Sequence, residues 1–148
     1  MRTTRQDLPR LYETGEEFSI GGSKTLRHSD DDRVTLVGAG ITLHEALKAA
    51  DTLAAEGIHA RVIDVYSVKP LDMATLHKAA AETAAVITIE DHYAEGGIGE
   101  AVAAALSDLA TPVFSLAVSK LPMSGKPEEL LAYEGIDAAA IVRRVREL

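Results

Sequence analysis

From Arg33 onward, short β-branched runs alternate with longer segments of helical period, and that alternation limits the chain to few architectures. Val34-Thr35-Leu36-Val37, Ala60 to Val65 (ARVIDV), Ala85 to Ile89 (AVITI) and Val113 to Val118 (VFSLAV) are mostly apolar. Such runs suit strands covered on both faces, as in a parallel sheet. The segments between them carry helix signals. Thr42 and Glu45 form a T-x-x-E capping box, and Leu43, Ala46, Leu47, Ala50, Leu53 and Ala54 make one apolar stripe that Gly57 ends. Pro70 and Asp72, a predicted N-cap, open a helix to about Thr83 with Met73, Leu76 and Ala80 facing inward. Ile98, Val102, Leu106 and Leu109 recur at helical spacing among alanines, and Asp137 caps a last helix with Ile141, Val142, Val145 and Leu148 as its buried stripe. Strand and helix in regular turn predict an α/β fold with a mostly parallel sheet, helices on both faces and right-handed crossovers.

Residues Met1 to Asp32 differ in texture, with charges of both signs, the Gly21-Gly22 pair and a closing Ser29-Asp30-Asp31-Asp32 run. They read as a linker or docking strap (1–32) ahead of the main domain (33–148). Phe18-Ser19-Ile20 and Lys24-Thr25-Leu26 flank the glycine pair as short strand pieces, a candidate hairpin. Ser119 to Gly135 reads as irregular apart from a helical piece from Pro127 to Leu131.

Composition narrows the function classes. At 148 residues and 47% hydrophobic content, one proper core fits and a second domain does not. A formal net charge of -8 lacks the basic footprint that nucleic acid or an anionic membrane surface requires. The absence of cysteine excludes disulfides, thiolate nucleophiles and cysteine-based zinc sites. No apolar run approaches the roughly 18 residues of a membrane span, and MRTTRQDLPR has no signal-peptide core, so cytoplasmic residence is the expectation.

The polar residues most worth weighing follow the third apolar run, in EDHYAEGGIGEAV, Glu90 to Val102. A strand-to-helix turn there puts Glu90, Asp91 and His92 at the carboxyl edge of the sheet, where open α/β folds place ligands and contact surfaces. Gly96, Gly97 and Gly99 permit positive φ and close backbone approach, and they leave helix-end N–H groups free to meet an anion or a partner. Many such turns only let a helix pack on its strand. Gly38-Ala39-Gly40 lacks the third glycine of a dinucleotide fingerprint, position 43 being Leu. Ser124-Gly125-Lys126 lacks the upstream glycine of a phosphate loop. The five histidines, His28, His44, His59, His77 and His92, have no partners at metal-ligand spacing. His44 and His77 read as solvated helix residues, and His92 is the one best placed for a specific contact.

GAGITLHEAL (Gly38 to Leu47), RVIDVYSVKPLD (Arg61 to Asp72), EDHYAEGGIGEAV and LPMSGKPEELLAYEGID (Leu121 to Asp137) occur in the order found in transketolase C-terminal domains. The chain resembles that family from about Arg2 to Leu148. C-terminal domains of deoxyxylulose-phosphate synthase and of 2-oxoacid dehydrogenase β subunits share the fold and a Glu-plus-glycine turn, without the LHEAL, KPLD and SGKPEELL wording. A free-standing α/β interaction or ligand-binding module is the alternative of a different class. The resemblance implies a three-layer α/β/α sandwich whose five-stranded, mostly parallel sheet has one antiparallel edge strand. The fifth strand would come from the strap or from a misread element.

The same resemblance implies a parent enzyme that uses thiamine diphosphate and Mg to transfer a two-carbon ketol unit between sugar phosphates, as a homodimer, in the pentose phosphate pathway. In the family, a segment like Thr4-Arg5-Gln6-Asp7-Leu8-Pro9 places its arginine, here Arg5, on the substrate phosphate, a task that suits a guanidinium fork. The G-D-G signature of the diphosphate–magnesium site does not occur in this sequence, and the family's cofactor-facing glutamate belongs to the preceding domain. The expectation is therefore a chain that has no catalytic residues and binds no cofactor or metal alone, and that works by assembly with the remaining domains or subunit. Glu90, Asp91, His92, Tyr93, Gly96, Gly97 and Gly99 are expected at one such contact, with Glu90 to Tyr93 exposed and the turn serving assembly rather than local stability.

Overall fold

The structure is a computed structural model that describes residues 7–148. Its elements are β1 (Lys24–Arg27), β2 (Asp32–Gly38), α1 (Ile41–Ala55), β3 (His59–Asp64), α2 (Met73–Glu82), β4 (Ala85–Tyr93), α3 (Ile98–Ala105), β5 (Val113–Val118), α4 (Pro127–Glu134) and α5 (Ala138–Arg146). The five strands form one sheet in the order β1-β3-β2-β4-β5. Only the β1–β3 pair is antiparallel. The antiparallel edge strand implied by the resemblance is thus supplied by residues 24–27.

The candidate hairpin around Gly21-Gly22 does not form. Gly21 donates its N–H to Ser67 Oγ at 2.9 Å, and a Cβ on Gly22 would stand 2.2 Å from the Tyr66 hydroxyl. The glycine pair fits the strap closely onto the segment after β3 rather than reversing the chain, and β1 pairs with β3 instead of with residues 18–20.

Strand periodicity of two sorts the core into two layers. Val34, Leu36, Val62, Ala85, Ile87 and Ile89 face α1 and α5, where Leu43, Ala46, Leu53, Ile141 and Val145 meet them. Val37, Ile63 and Val86 face α2 and α3, packing on Leu76, Ala79, Ala80, Val102 and Leu106. The result is the three-layer α/β/α sandwich. Ala54, Met73 and Leu148, expected inside, are exposed, because each lies at or past a helix end where the apolar stripe outruns the sheet. No described helix is long and apolar enough to cross a membrane.

The T-x-x-E box of α1 is also corrected. Gly40 is the N-cap and makes no side-chain cap. Thr42 is buried and its hydroxyl donates to the Ile89 carbonyl at 2.8 Å, tying α1 to β4. Glu45 is buried too, and it accepts the Ala138 N–H at 2.9 Å, at the start of α5. Two polar residues that read as a local cap are instead long-range fasteners. Asp72 and Asp137 do cap their helices, accepting from Thr75 N–H at 3.1 Å and Ala140 N–H at 2.9 Å.

Candidate functional site at the carboxyl edge

Where an isolated apolar run would end at Ile89, β4 continues to Tyr93, so the first four residues of EDHYAEGGIGEAV are strand rather than turn. Alternation then sends Glu90 to the α2/α3 face, where it is 2% exposed. Its carboxylate accepts the N–H of Ile98 at 2.7 Å and of Gly99 at 2.8 Å. Gly97, the N-cap of α3, has no side chain with which to cap the helix, and Glu90 reaches across from the strand to do so. Two charge-assisted bonds at a helix N-terminus are favoured both by the unpaired donors there and by the helix dipole.

The glycines are explained by this carboxylate. A Cβ at Gly97 would lie 2.1 Å from Glu90 Oε2, and one at Gly99 would lie 2.5 Å from Ser115 Oγ. Only Gly96 of the three uses positive φ, at 70°. The expectation of an exposed Glu90 and of free helix-end N–H groups is therefore overturned, since the residue is buried and those N–H groups are its ligands. A sequence signal for this existed: an acidic residue closing a strand ahead of a helix start that lacks Ser, Thr, Asp or Asn.

Beyond Glu90 the strand surfaces. Asp91 is exposed, His92 Nδ1 lies 2.7 Å from the Tyr93 carbonyl, and Tyr93 is half exposed. Asp91, His92 and Tyr93 line an open groove of about 360 Å³ together with Val118, Met123, Leu130 and Glu134. Glu134 accepts the N–H groups of Ser119 at 3.0 Å and Lys120 at 3.1 Å.

The strap covers the neighbouring part of the same edge. Tyr12, Phe18 and Tyr66 stack edge-on in sequence, with centroids 4.9 Å apart at each step. Lys24 Nζ lies 4.5 Å from the centre of the Phe18 ring and pairs with Glu16. The Tyr12 hydroxyl donates to Asp64 Oδ2 at 2.5 Å. Burial, more than Tyr12 and Lys24 can offset, pushes the Asp64 carboxyl above the usual carboxylate range, and burial followed by the Asp64 bond raises the Tyr12 phenol. Ser23 Oγ donates to Asp72 Oδ2 at 2.9 Å.

Exposed charged residues such as Lys69, Asp91, Glu95 and Lys120 share this edge with large exposed apolar side chains. Ile20 is 89% exposed, Leu121 80% and Met123 59%, with Phe18, Val68, Met73 and Tyr93 also open. Single exposed apolar residues are ordinary, but several of them along one edge are the kind of surface that a partner covers.

The opposite, amino edge is a contrast. Arg61 is 5% exposed; its Nη1 lies 2.7 Å from Glu82 Oε2, its Nε 3.4 Å from Asp32 Oδ2 and its Nη2 3.0 Å from His28 Nδ1. Asp32 also accepts the Ser29 N–H at 3.0 Å and the Ser29 hydroxyl at 2.9 Å. Burial pushes the Asp32 carboxyl up, yet the Ser29, His28 and Arg61 bonds together outweigh it and hold the group below the usual range. His77, expected to be solvated, reaches from α2 to the Ala105 carbonyl of α3 at 2.9 Å.

Arg5 lies outside the described residues. Among those described, no group of three or more His, Asp or Glu side chains is placed to hold a metal ion.

A family model described as the transketolase C-terminal domain matches residues 23–141. Transketolase-like protein 1 of Bos taurus is 51% identical, over 100% of this chain and 25% of its own length. Mus musculus transketolase is 48% identical, over 100% of this chain and 24% of its own length. The chain spans about a quarter of the length of these relatives. Among solved structures, a split-gene transketolase described as an inactive beta4 tetramer has a TM-score of 0.90 at 37% identity, covering 97% of this chain and 47% of that one. Campylobacter jejuni transketolase, at 18% identity and a TM-score of 0.68, shares the fold. The matched region takes in all five strands, the antiparallel edge included, and the chain belongs to the transketolase C-terminal domain family.

Proposed function

We propose that the chain is the C-terminal domain or section of a transketolase and works by docking, through its carboxyl edge, onto the parts of the enzyme that hold cofactor and substrate. The observation that carries this is the row of exposed apolar side chains along that edge, in a chain equivalent to one quarter of its relatives. Thiamine diphosphate with Mg supplies the two-carbon ketol transfer between sugar phosphates when bound in the rest of such an enzyme. This chain contributes no catalytic residue; its edge shields apolar surface and fixes the position of the strap. Residues 1–32 serve as that strap, with 24–27 woven into the sheet, and 33–148 form the docked domain. Its Asp91, His92 and Tyr93 meet the neighbouring domain or subunit, while Glu90 holds the turn beneath them. The inactive beta4 tetramer of the split-gene relative supports assembly with further subunits. Cytoplasmic residence and a homodimeric complete enzyme are part of this reading.

Arg5 is assigned to the substrate phosphate. In the assembled enzyme Arg5→Ala should raise the KM for phosphorylated substrates by the equivalent of about 1.5–3 kcal/mol, the range for a hydrogen bond to a charged group. An unchanged KM would remove the assignment. The docking reading is tested by isolating the tagged chain from its own cells. Ketol transferase activity should co-purify with a polypeptide carrying the G-D-G motif. A preparation that holds this chain alone, with all the ketol transferase activity elsewhere, would overturn it.

A further inference from the structure

The two edges of the sheet are protected very differently. β1 has four residues, carries Lys24 and Arg27, and is bulged between Thr25 and Arg27. Short length, edge charge and a bulge are the devices that keep an edge strand from pairing with another chain. β5 has none of them. It is six residues long, VFSLAV, without charge, proline or glycine, and every one of its residues is at least partly exposed. It pairs on one side with β4, and among the described residues no strand pairs with its other side.

We infer that a second copy of this chain occupies that side, β5 pairing antiparallel with β5 across a two-fold axis to give one ten-stranded sheet. Charge does not oppose self-pairing: identical β5 strands carry no charge, whereas the same contact at β1 would bring Lys24 and Arg27 of one copy close to those of the other. Side-chain order favours it as well. A two-fold axis perpendicular to the sheet keeps each residue on its own face, so partners must share parity. With Leu116 on the axis, Phe114 lies opposite Val118 of the other copy on the α1/α5 face, and apolar meets apolar. A six-residue strand is only about 20 Å long, so the contact falls below the size of a standard stable interface. A dimer with a micromolar dissociation constant is the expectation.

The contact deepens the assembly reading above by naming one surface and one partner, and it meets the carboxyl edge only at Val118, which also lines the groove. Sedimentation velocity of the 148-residue chain between roughly 1 and 200 μM should show a reversible monomer–dimer equilibrium. Ala117→Lys, which adds a charge to the open strand, should weaken it at least tenfold while the melting temperature stays within a few degrees. As a check that needs no variant, hydrogen exchange of the wild type should slow at residues 113–118 as concentration rises. A chain that is monomeric throughout, or a dimer whose 113–118 exchange ignores concentration, would overturn the inference. Either result would leave co-purification with the G-D-G polypeptide untouched.

Discussion

At the amino edge Arg61 is buried among Asp32, Glu82 and His28, while at the carboxyl edge Ile20, Leu121 and Met123 stand between 59% and 89% exposed. The first edge satisfies its buried charges from within the domain, so a partner for those groups could only compete for bonds already made. The second edge leaves apolar surface in water, and covering it is favourable at roughly 25 cal/mol per Å² removed. Glu90 complicates the contrast usefully. It lies on the carboxyl edge but behaves like an amino-edge residue, buried and fully engaged, and it is the internal post on which the exposed turn rests. The lesson is that polarity in the sequence does not separate buried from exposed residues here: Glu90 is polar and buried, while Ile20 and Leu121 are apolar and exposed.

Glu90→Ala should have the largest effect on the isolated chain. It would leave the Ile98 and Gly99 N–H groups without their acceptor, at a cost of about 3 kcal/mol in denaturant unfolding. Gly97→Ala should reproduce much of the loss, because the new methyl group would occupy the carboxylate's place. A cost well under 1 kcal/mol for both would mean the turn is not held from within.

Arg61→Met comes next, at about 2 kcal/mol, since it removes the guanidinium bond of the buried Asp32 carboxylate, which keeps its bonds to Ser29. Equal stability of the variant and the wild type would erase the claim that the amino edge is self-satisfied.

The two edges should also respond to acid with opposite signs. Asp32 is held below its unfolded value, so the folded state binds fewer protons there; its stabilisation is present above the ordinary Asp range and is lost as pH falls through the depressed value. Asp64 is raised, so its penalty appears as pH climbs past the ordinary range and vanishes in acid. Relative to wild type, the deficit of Asp32→Asn should therefore shrink as pH is lowered. Any advantage of Asp64→Asn, whose side-chain oxygen can still accept from Tyr12, should shrink over its own, higher window. Slopes of the same sign in urea titrations would contradict this.

The smallest effect on the free chain belongs to Ile20→Asp and Leu121→Asp. Each should leave its stability within about 0.5 kcal/mol, as expected for exposed sites. Each should nevertheless weaken docking to the rest of the enzyme at least tenfold. Destabilised chains with unaltered docking would assign these residues to the fold.

The regular elements were legible because burial on both faces of a parallel strand demands apolar runs, and Asp72 and Asp137 were legible because a cap is local. What escaped was long-range. Thr42 and Glu45 have the spacing of a capping box, but their partners, Ile89 and Ala138, are 47 and 93 residues away. Asp32 reads as the end of an acidic run until β3 brings Arg61 to it. Glu90 looked like a surface residue because the strand's last turn of alternation, and so its inward direction, depends on pairing that sequence periodicity alone does not record. Of the expected site, Asp91 and Tyr93 lie at the surface and His92 stands between them, partly covered; Arg5 lies outside the described residues.

The most direct test of the carboxyl edge as the docking surface is hydrogen exchange on the chain, free and assembled with the rest of its enzyme. The account predicts added protection on assembly at residues 18–22, 66–71, 91–97 and 119–126, with residues 28–33 and 80–84 unchanged. Protection gained at the amino-edge segments, with the carboxyl edge exchanging as it does in the free chain, would contradict it.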